Sequence, residues 1–368
     1  PRSTLFPYTT LFRSGGQPVL TLTQEELWVL HQLDQNSNIR NIVIRADIHG
    51  PLQPSHWQSA FQSLIRHHQA LHSIFVMAGS SVFHHVISSP HYFIEVKDLE
   101  GTAERPDRFL QREEERLGEL VFNTARWPLF AARLYRLTPD HHVFLFSVHH
   151  LVFDGWSHNI FFDHLLIQYD AQSGRNGRSH HSGMSYFEAC SLVRRQQSEP
   201  ASDLAFWRRK LLPVPPRLNL PYRQSGRLQP SYRGERISFS LTPETVKRLE
   251  NWTRQQNANL FSGLITLFKA MLYTLCRQTD LVIGTPYANR NHPDWENVIG
   301  YFTNMVSIRS QLSPPQTLNS YLRNEFRECI DALDHSTIPF GKLVQELKIG
   351  ERQRSEERRV GKECRSRW

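Results

Sequence analysis

Cysteine is scarce: 368 residues contain four, Cys190, Cys276, Cys329 and Cys364, far apart and without a C-x-x-C pair. This spacing argues against a disulfide framework and a cysteine zinc knot, and points to a reducing, cytoplasmic compartment. Long apolar runs are missing too. No stretch approaches eighteen consecutive apolar residues, so no membrane span is expected, and no secretory apolar region is visible near the start. One-sided charge is largely absent from the body of the chain. Of the net +8, residues 1–14 carry +2 and residues 354–368 carry +3, leaving +3 for residues 15–353. With no aromatic stacking platform beside the basic end, nucleic acid is not an expected partner.

What remains is the composition of a globular chain, 39% hydrophobic and 21% charged, with a length that suits two lobes. The end segments PRSTLFPYTTLFRS (1–14) and RSEERRVGKECRSRW (354–368) share no periodicity with what they flank. Both look like translated sequencing-adapter read-through and are expected to be non-native. The body begins with TLTQEELWVLHQL, where Thr23 and Glu26 fit a capping box ahead of Leu27, Leu30 and Leu33. Strands are expected at Asn41–His49, Ser73–Met77, Val82–Ile87, Tyr92–Val96, Phe130–Leu137 and His142–Val148. Helices are expected from Pro54, at Asp107–Leu120 and after Trp156 to about Ala171. QSGRNGRSHHSG, residues 172–183, reads as a connection, which places an N-terminal lobe at 17–178 and a C-terminal lobe at 179–353. The second lobe should hold a helix at Tyr186–Leu211, a strand at Glu235–Leu241, helices at Pro243–Asn257 and Leu260–Arg277, a strand at Leu281–Gly284, an apolar stretch at Val298–Arg309, and helices at Leu318–Leu333 and Phe340–Leu347. Interleaved strands and helices make the class α/β.

His-His pairs begin at His67, His84, His141, His149 and His180, so such a pair is uninformative by itself. Only one continues as HHLVFDG, His149 to Gly155. Two histidines, an aspartate and a glycine at fixed offsets form a demanding pattern. The preceding VFLFSV is apolar almost throughout, as a strand covered on both faces would be. Successive side chains on a strand point to opposite faces, so His149 and His150 should not converge on one metal ion. One is expected to pack in the scaffold and the other to be delivered at the strand end. Asp154 can pair with a cation to fix the loop, while Gly155 allows a tight turn and close approach of a ligand.

With these residues the sequence resembles, from about residue 19 to 355, the condensation domains of nonribosomal peptide synthetases, within the chloramphenicol acetyltransferase-like superfamily. LTQEELWVL, RHHQALHSIF (Arg66–Phe75), HHLVFDGWS, VIGYFTNMVSIR (Val298–Arg309) and HSTIPFGKLVQEL (His335–Leu347) are similar to successive family motifs, in order. The second motif usually carries two arginines; here Arg66 holds the first position and His72 the second. Arg66 is the first choice as the cation for Asp154 and Arg309 the second. Tyr186, Phe187 and Glu188 meet a later motif only loosely, without its tryptophan. The last motif breaks off after Glu351–Ser355, so the C-terminal lobe is expected to be incomplete.

The resemblance implies two chloramphenicol acetyltransferase-like lobes, each a mixed sheet with flanking helices, in a V-shaped pseudo-dimer with a tunnel between them. It implies donor and acceptor peptidyl carrier domains, and an adjacent adenylation domain, as partners. Substrates would arrive as thioesters on the carriers' phosphopantetheine arms; the domain itself would bind no cofactor or metal, and the fragment would be monomeric. His150 matches the family's active-site residue and would either take a proton from the acceptor amine or hold that amine by a hydrogen bond. Asp154 and Gly155 complete the catalytic set, with His149, Arg66, Trp156, Asn304 and Arg309 in support. Asn304 would either line the tunnel or be a buried structural residue. Intact histidines speak against a cyclising subtype, and the first motif is unlike that of an epimerising relative. A stand-alone acyltransferase and a catalytically inactive recruitment platform remain as alternatives.

Overall fold

A computed structural model describes residues 20–34, 38, 40–79, 81–101, 105–175, 183–198, 201–221, 237–313 and 315–349. The end segments 1–14 and 354–368 lie outside them. The chain divides into two compact units, one running to Gln196 and including Ala288–Thr303, the other comprising Gln197–Tyr287 and the residues from Asn304 onward. The expected boundary at 178/179 falls too early. Helix 186–198 follows it and sends Tyr186, Ala189, Cys190 and Val193 into the first unit's core. The segment 288–303 also packs there, through Trp295, Val298, Ile299 and Phe302.

In the first unit the elements run α1 (Leu22–Leu33), β1 (Asn41–His49), α2 (Pro54–His67), β2 (Ser73–Ala78), β3 (Ser81–Val86), β4 (Glu95–Asp98), α3 (Pro106–Gly118), β5 (Phe130–Thr138), β6 (His141–His149), α4 (Ser157–Gln172) and α5 (Tyr186–Ser198). One 3-10 turn, Gln69–His72, leads into β2 and another, His150–Val152, follows β6. Four strands form a mixed sheet in the order β1-β6-β5-β4, with β4 parallel to β5 and the other pairs antiparallel. β2 and β3 form a separate antiparallel pair.

β6 owes its apolar composition to its central place. Phe144, Phe146 and Val148 face the helices α2 and α4, meeting Trp57, Phe61, Phe161 and Leu165, whereas Val143 and Leu145 face Leu110 and Leu117 of α3. All of these side chains are buried, so period-2 alternation supplies two cores from one strand. The covering layers are helices on both sides, so an antiparallel strand can carry the apolar run that parallel strands usually show.

α1 starts two residues earlier than its sequence suggests. Thr21, not Thr23, is the N-cap: its hydroxyl accepts from the Gln24 backbone N–H at 3.1 Å, and the Gln24 side chain accepts from the Thr21 N–H at 3.1 Å. T-x-x-Q closes a capping box as well as T-x-x-E does. The Leu30 and Leu33 positions expected to be buried are 52% and 79% exposed; the buried side chains are Thr23, Gln24 and His31.

The second unit contains α6 (Ala201–Leu211), α7 (Pro243–Gln255), α8 (Leu260–Cys276), β7 (Asp280–Tyr287), β8 (Asn304–Gln311), α10 (Leu318–Asp334) and α11 (Phe340–Glu346); the short α9 (Pro293–Glu296) belongs to the first unit. The single helix expected over 186–211 is two, α5 and α6, with Pro200, which lacks an N–H, in the sequence between them. β7 and β8 pair antiparallel with Val282 opposite Arg309. The strand expected at 235–241 is not formed over 237–241, the part that is described, and Ile237 and Phe239 there are exposed. Trp207, Ile265, Val306, Ile308, Cys329 and Leu343 form this unit's core. Under α8, Lys269 is wholly buried and donates to Glu325 (2.6 Å), Ser310 Oγ (2.7 Å) and the Ile308 carbonyl (3.0 Å), which satisfies its three protons. Among the described residues, no single helix is long and apolar enough to cross a membrane.

Candidate functional site

The HHLVFDG run occupies the turn that carries the chain from β6 into α4. His149 is the last residue of β6 and is buried, its backbone N–H held by the Leu129 carbonyl at 2.8 Å. Its Nδ1 accepts from the Leu151 N–H at 3.1 Å, which puts the ring proton on Nε2. The ring stands edge-on to His31 at 5.0 Å. Burial, reinforced by the neighbouring His31, pushes its pKa down to about 3, so it is neutral near pH 7.

His150 begins the 3-10 turn and is half-buried. Its backbone N–H donates to the Arg40 carbonyl at 2.8 Å, and its ring packs edge-on against Tyr301 at 5.1 Å. Its Nδ1 is enclosed and has no hydrogen-bond partner among the described residues. The two histidines thus have different neighbours: His149 sits against α1, and His150 against residue 301. Burial pushes the Tyr301 hydroxyl up to about 12, so that ring stays neutral beside the imidazole.

Asp154 is fully buried and is the hub of the loop. Its Oδ1 accepts from the Ser157 backbone N–H (2.9 Å) and the Ser157 hydroxyl (2.7 Å), in the first turn of α4 where the helix dipole favours an anion. Its Oδ2 accepts from the Phe302 N–H (3.1 Å) and, more weakly, the Thr303 hydroxyl (3.4 Å). The cation is Arg290, whose Nη2 lies 3.2 and 3.3 Å from the two carboxylate oxygens. Neither expected candidate takes this role. Arg66 lies exposed in the last turn of α2, and Arg309 pairs with Asp280 in the second unit (2.6 and 2.9 Å) while its Nη1 donates to the Lys210 and Pro213 carbonyls.

Arg290 also holds its own segment in shape. Its Nη1 donates to the Val298 (2.7 Å) and Trp295 (3.0 Å) carbonyls, and its guanidinium lies over the Phe302 ring at 4.3 Å. Burial pulls its pKa down, and the Asp154 charge opposes that pull. The segment docks again through Gly300, whose N–H donates to Ser157 Oγ at 3.1 Å, and through Glu296, whose carbonyl accepts from Trp156 Nε1 at 2.9 Å.

Gly155 is less constrained than the motif suggested. Its φ is not positive, and an added Cβ would meet nothing within 4 Å, so the turn itself does not require glycine. The absent side chain leaves open space beside the loop instead. Asn304 spends its amide on local structure in the second unit, donating to the Ser336 and Ile338 carbonyls and accepting from the Met305 and Phe340 N–H groups. That is the buried structural reading, with no donor left for a ligand.

Two positions that organise the turn have no signal in the motif. Gln24 donates from Nε2 to the Leu151 carbonyl (3.1 Å) and to the Tyr186 hydroxyl (2.6 Å), tying α1 and α5 to the 3-10 turn. Burial raises the Tyr186 hydroxyl well above its ordinary value and lifts the neighbouring Cys190 thiol to about 12, so neither is a nucleophile near pH 7.

A family profile described as Condensation domain matches residues 16–358. One of the linear gramicidin synthase proteins of Brevibacillus parabrevis is 32% identical over 341 residues, covering 90% of this chain and 7% of that protein. Surfactin synthase subunit 1 of Bacillus subtilis (strain 168) is 29% identical over 331 residues, with 90% and 9% covered. The chain therefore spans less than a tenth of either relative. Among solved structures, the first condensation domain of the CDA synthetase superposes with a TM-score of 0.78 at 20% identity, over 91% of this chain and 80% of that one. The X-domain from teicoplanin biosynthesis gives 0.77 at 21% identity, over 91% and 75%. At such identities these two structures establish the mixed α/β fold.

Proposed function

Because the chain belongs to the condensation-domain family, we propose that it forms amide bonds by acyl transfer within a nonribosomal peptide synthetase. Donor and acceptor are thioesters on the phosphopantetheine arms of two carrier domains, the partners this reading requires, with an adenylation domain adjacent. The observation that carries the reading is the division of labour in the turn after β6: His149 is sealed and neutral, whereas His150 is half-exposed on a loop locked by Asp154 and Arg290. A loop fixed in this way is a preorganised mount for one reacting group.

The chemistry asked of it is modest. The acceptor's α-amine nitrogen attacks the donor thioester carbon, the nitrogen loses a proton, and the carbon–sulfur bond breaks to leave a thiol on the donor arm and an amide on the acceptor. An α-amine has a pKa of about 7.7–8.0, so part of it is neutral near pH 7 and a strong base is unnecessary. His150 takes the proton as the tetrahedral intermediate forms, or holds the amine by a hydrogen bond; general-base help is worth roughly a hundred- to ten-thousandfold. Gly155 leaves the space in which a pantetheine arm passes. The described cysteines, Cys190, Cys276 and Cys329, are free thiols, which suits a reducing, cytoplasmic setting.

A second reading has its own support. The X-domain from teicoplanin biosynthesis, whose fold matches nearly as well, is also solved as a complex with OxyB. A recruitment platform would therefore keep this fold, though nothing in such a role requires a mounted histidine. Single-turnover assays with carrier-loaded donor and acceptor decide between them. The wild-type chain is expected to form amide and His150→Ala to lose it, both binding the carriers equally. Carrier binding without amide formation by the wild type favours the platform.

A further inference from the structure

His67, His68 and His164 stand outside the loop of the proposed reaction and outside every role assigned above. His67 ends α2, His68 follows it, and His164 lies mid-way along α4, the helix packed beside α2. Their ligand nitrogens all lie within 4.8 Å of one another. The rings are mutually near-perpendicular: 77° for His67 and His68, 88° for His67 and His164, and 85° for His68 and His164, with centroids 4.6–4.9 Å apart. Among the described residues this is the one group of three or more histidine, cysteine or carboxylate side chains so placed.

We propose that His67, His68 and His164 form a zinc(II) site that staples the end of α2 to the middle of α4. Three imidazoles and a water complete a tetrahedral shell, a common arrangement for this ion. Zinc–nitrogen bonds of 2.0–2.1 Å set the ligand nitrogens of a tetrahedron about 3.3–3.4 Å apart. His68 Nε2 and His164 Nδ1 now stand 2.8 Å apart, as a hydrogen-bonded pair, so side-chain rotations that part the two nitrogens by about 0.5–0.6 Å open the pair to an ion. His67 is exposed and provides the route of entry, while His68 and His164 are buried.

The outer shell fits the same assignment. His164 Nε2 lies 3.0 Å from the Gln168 amide, and Gln168 in turn is held by the Ser63 hydroxyl at 2.9 Å. With Nδ1 on the metal, the His164 proton moves to Nε2. A half-turn of the Gln168 amide then presents its oxygen to that proton and its NH2 to Ser63 Oγ. Both histidine tautomers stay neutral, so binding there releases no net proton.

The test uses the full chain after dialysis against a chelator. Zinc bound per chain is measured by elemental analysis after equilibrium with a competing chromophoric chelator, and cobalt(II) substitution reads the geometry through its visible absorption. The expected result is one zinc per chain, tetrahedral cobalt bands, and at least a tenfold loss of affinity in His67→Ala and in His164→Gln. Gln168→Leu should weaken binding by about 10–100-fold through the outer shell. His141→Ala, in another His-His pair, should change nothing. Since His67 is exposed, its variant is expected to fold even if His164→Gln does not. Failure to bind stoichiometric zinc, or binding that His67→Ala leaves intact, overturns the proposal.

Discussion

Arg290 reaches Asp154 across 136 residues of sequence and clasps both carboxylate oxygens from a position where each side chain is at most 1% exposed. The pair is fully desolvated, yet Asp154 also accepts three backbone or hydroxyl bonds within 3.1 Å. A buried pair with its remaining lone pairs satisfied holds geometry more than it adds net stability.

Removing one member should therefore cost much more than the pair contributes. Asp154→Ala and Arg290→Ala are each expected to lose about 3–5 kcal/mol in urea unfolding, because each strands a buried charge. The double variant should lose clearly less than the sum of the two. Additive losses would mean that the two side chains act independently.

Much of the first unit can be read directly from residue patterns, and the reason is periodicity. β1 alternates Ile42, Ile44, Ala46 and Ile48 on its covered face, and β6 is apolar because both its faces are covered. The turn that carries His150 is local, so seven consecutive residues describe it. Arg290 is different: YANRN has no hydrophobic period and no motif, and the residue acquires meaning only when 288–303 packs into the first unit. Gln24 was hidden for another reason. The sequence puts the capping box at Thr23 and Glu26 and leaves Gln24 without a role, and its bonds to Leu151 and Tyr186 span 127 and 162 residues. Apolar count also misled at α1, where Leu30 and Leu33 face outward while Thr23 and Gln24 are buried.

Acid should weaken the first unit. His149 and His84 are held neutral by burial, with pKa values near 3 when folded, against about 6.5 for free histidine. Below pH 6.5 the unfolded chain takes up protons that the folded chain refuses, so stability is complete above that pH and falls as pH drops towards 3. Between pH 6.5 and 5 the two together account for about 4 kcal/mol at most. Urea midpoints measured across this range should fall, and His84→Phe should flatten the slope. An unchanged slope in that variant would exclude His84 as a source.

Gly300 is required by close packing. A Cβ there would lie 2.6 Å from Cε2 of Tyr186 and 2.7 Å from Cε2 of Phe302, both rings in the buried core. Gly300→Ala is expected to cost about 1–3 kcal/mol from overpacking and to disturb the Phe302 N–H bond to Asp154. Gly155→Ala has open space instead, and should leave the melting temperature unchanged while slowing transfer from bulky carrier-borne donors. A melting temperature lowered equally in both would contradict this distinction.

The two motif histidines should separate stability from chemistry. His149 is enclosed, accepts from Leu151 N–H and stands against His31, so His149→Ala leaves a cavity and an unmet backbone donor. A loss of about 2–4 kcal/mol is expected in unfolding, from the cavity and the lost bond together. The His150 ring makes no side-chain hydrogen bond among the described residues, and its main structural contact is the edge of Tyr301. His150→Ala should therefore unfold within about 1 kcal/mol of the wild type while amide formation falls a hundredfold or more. Single-turnover rates and urea midpoints measured on both variants give the answer. If His150→Ala loses stability and keeps its rate, the active-site assignment belongs to another residue.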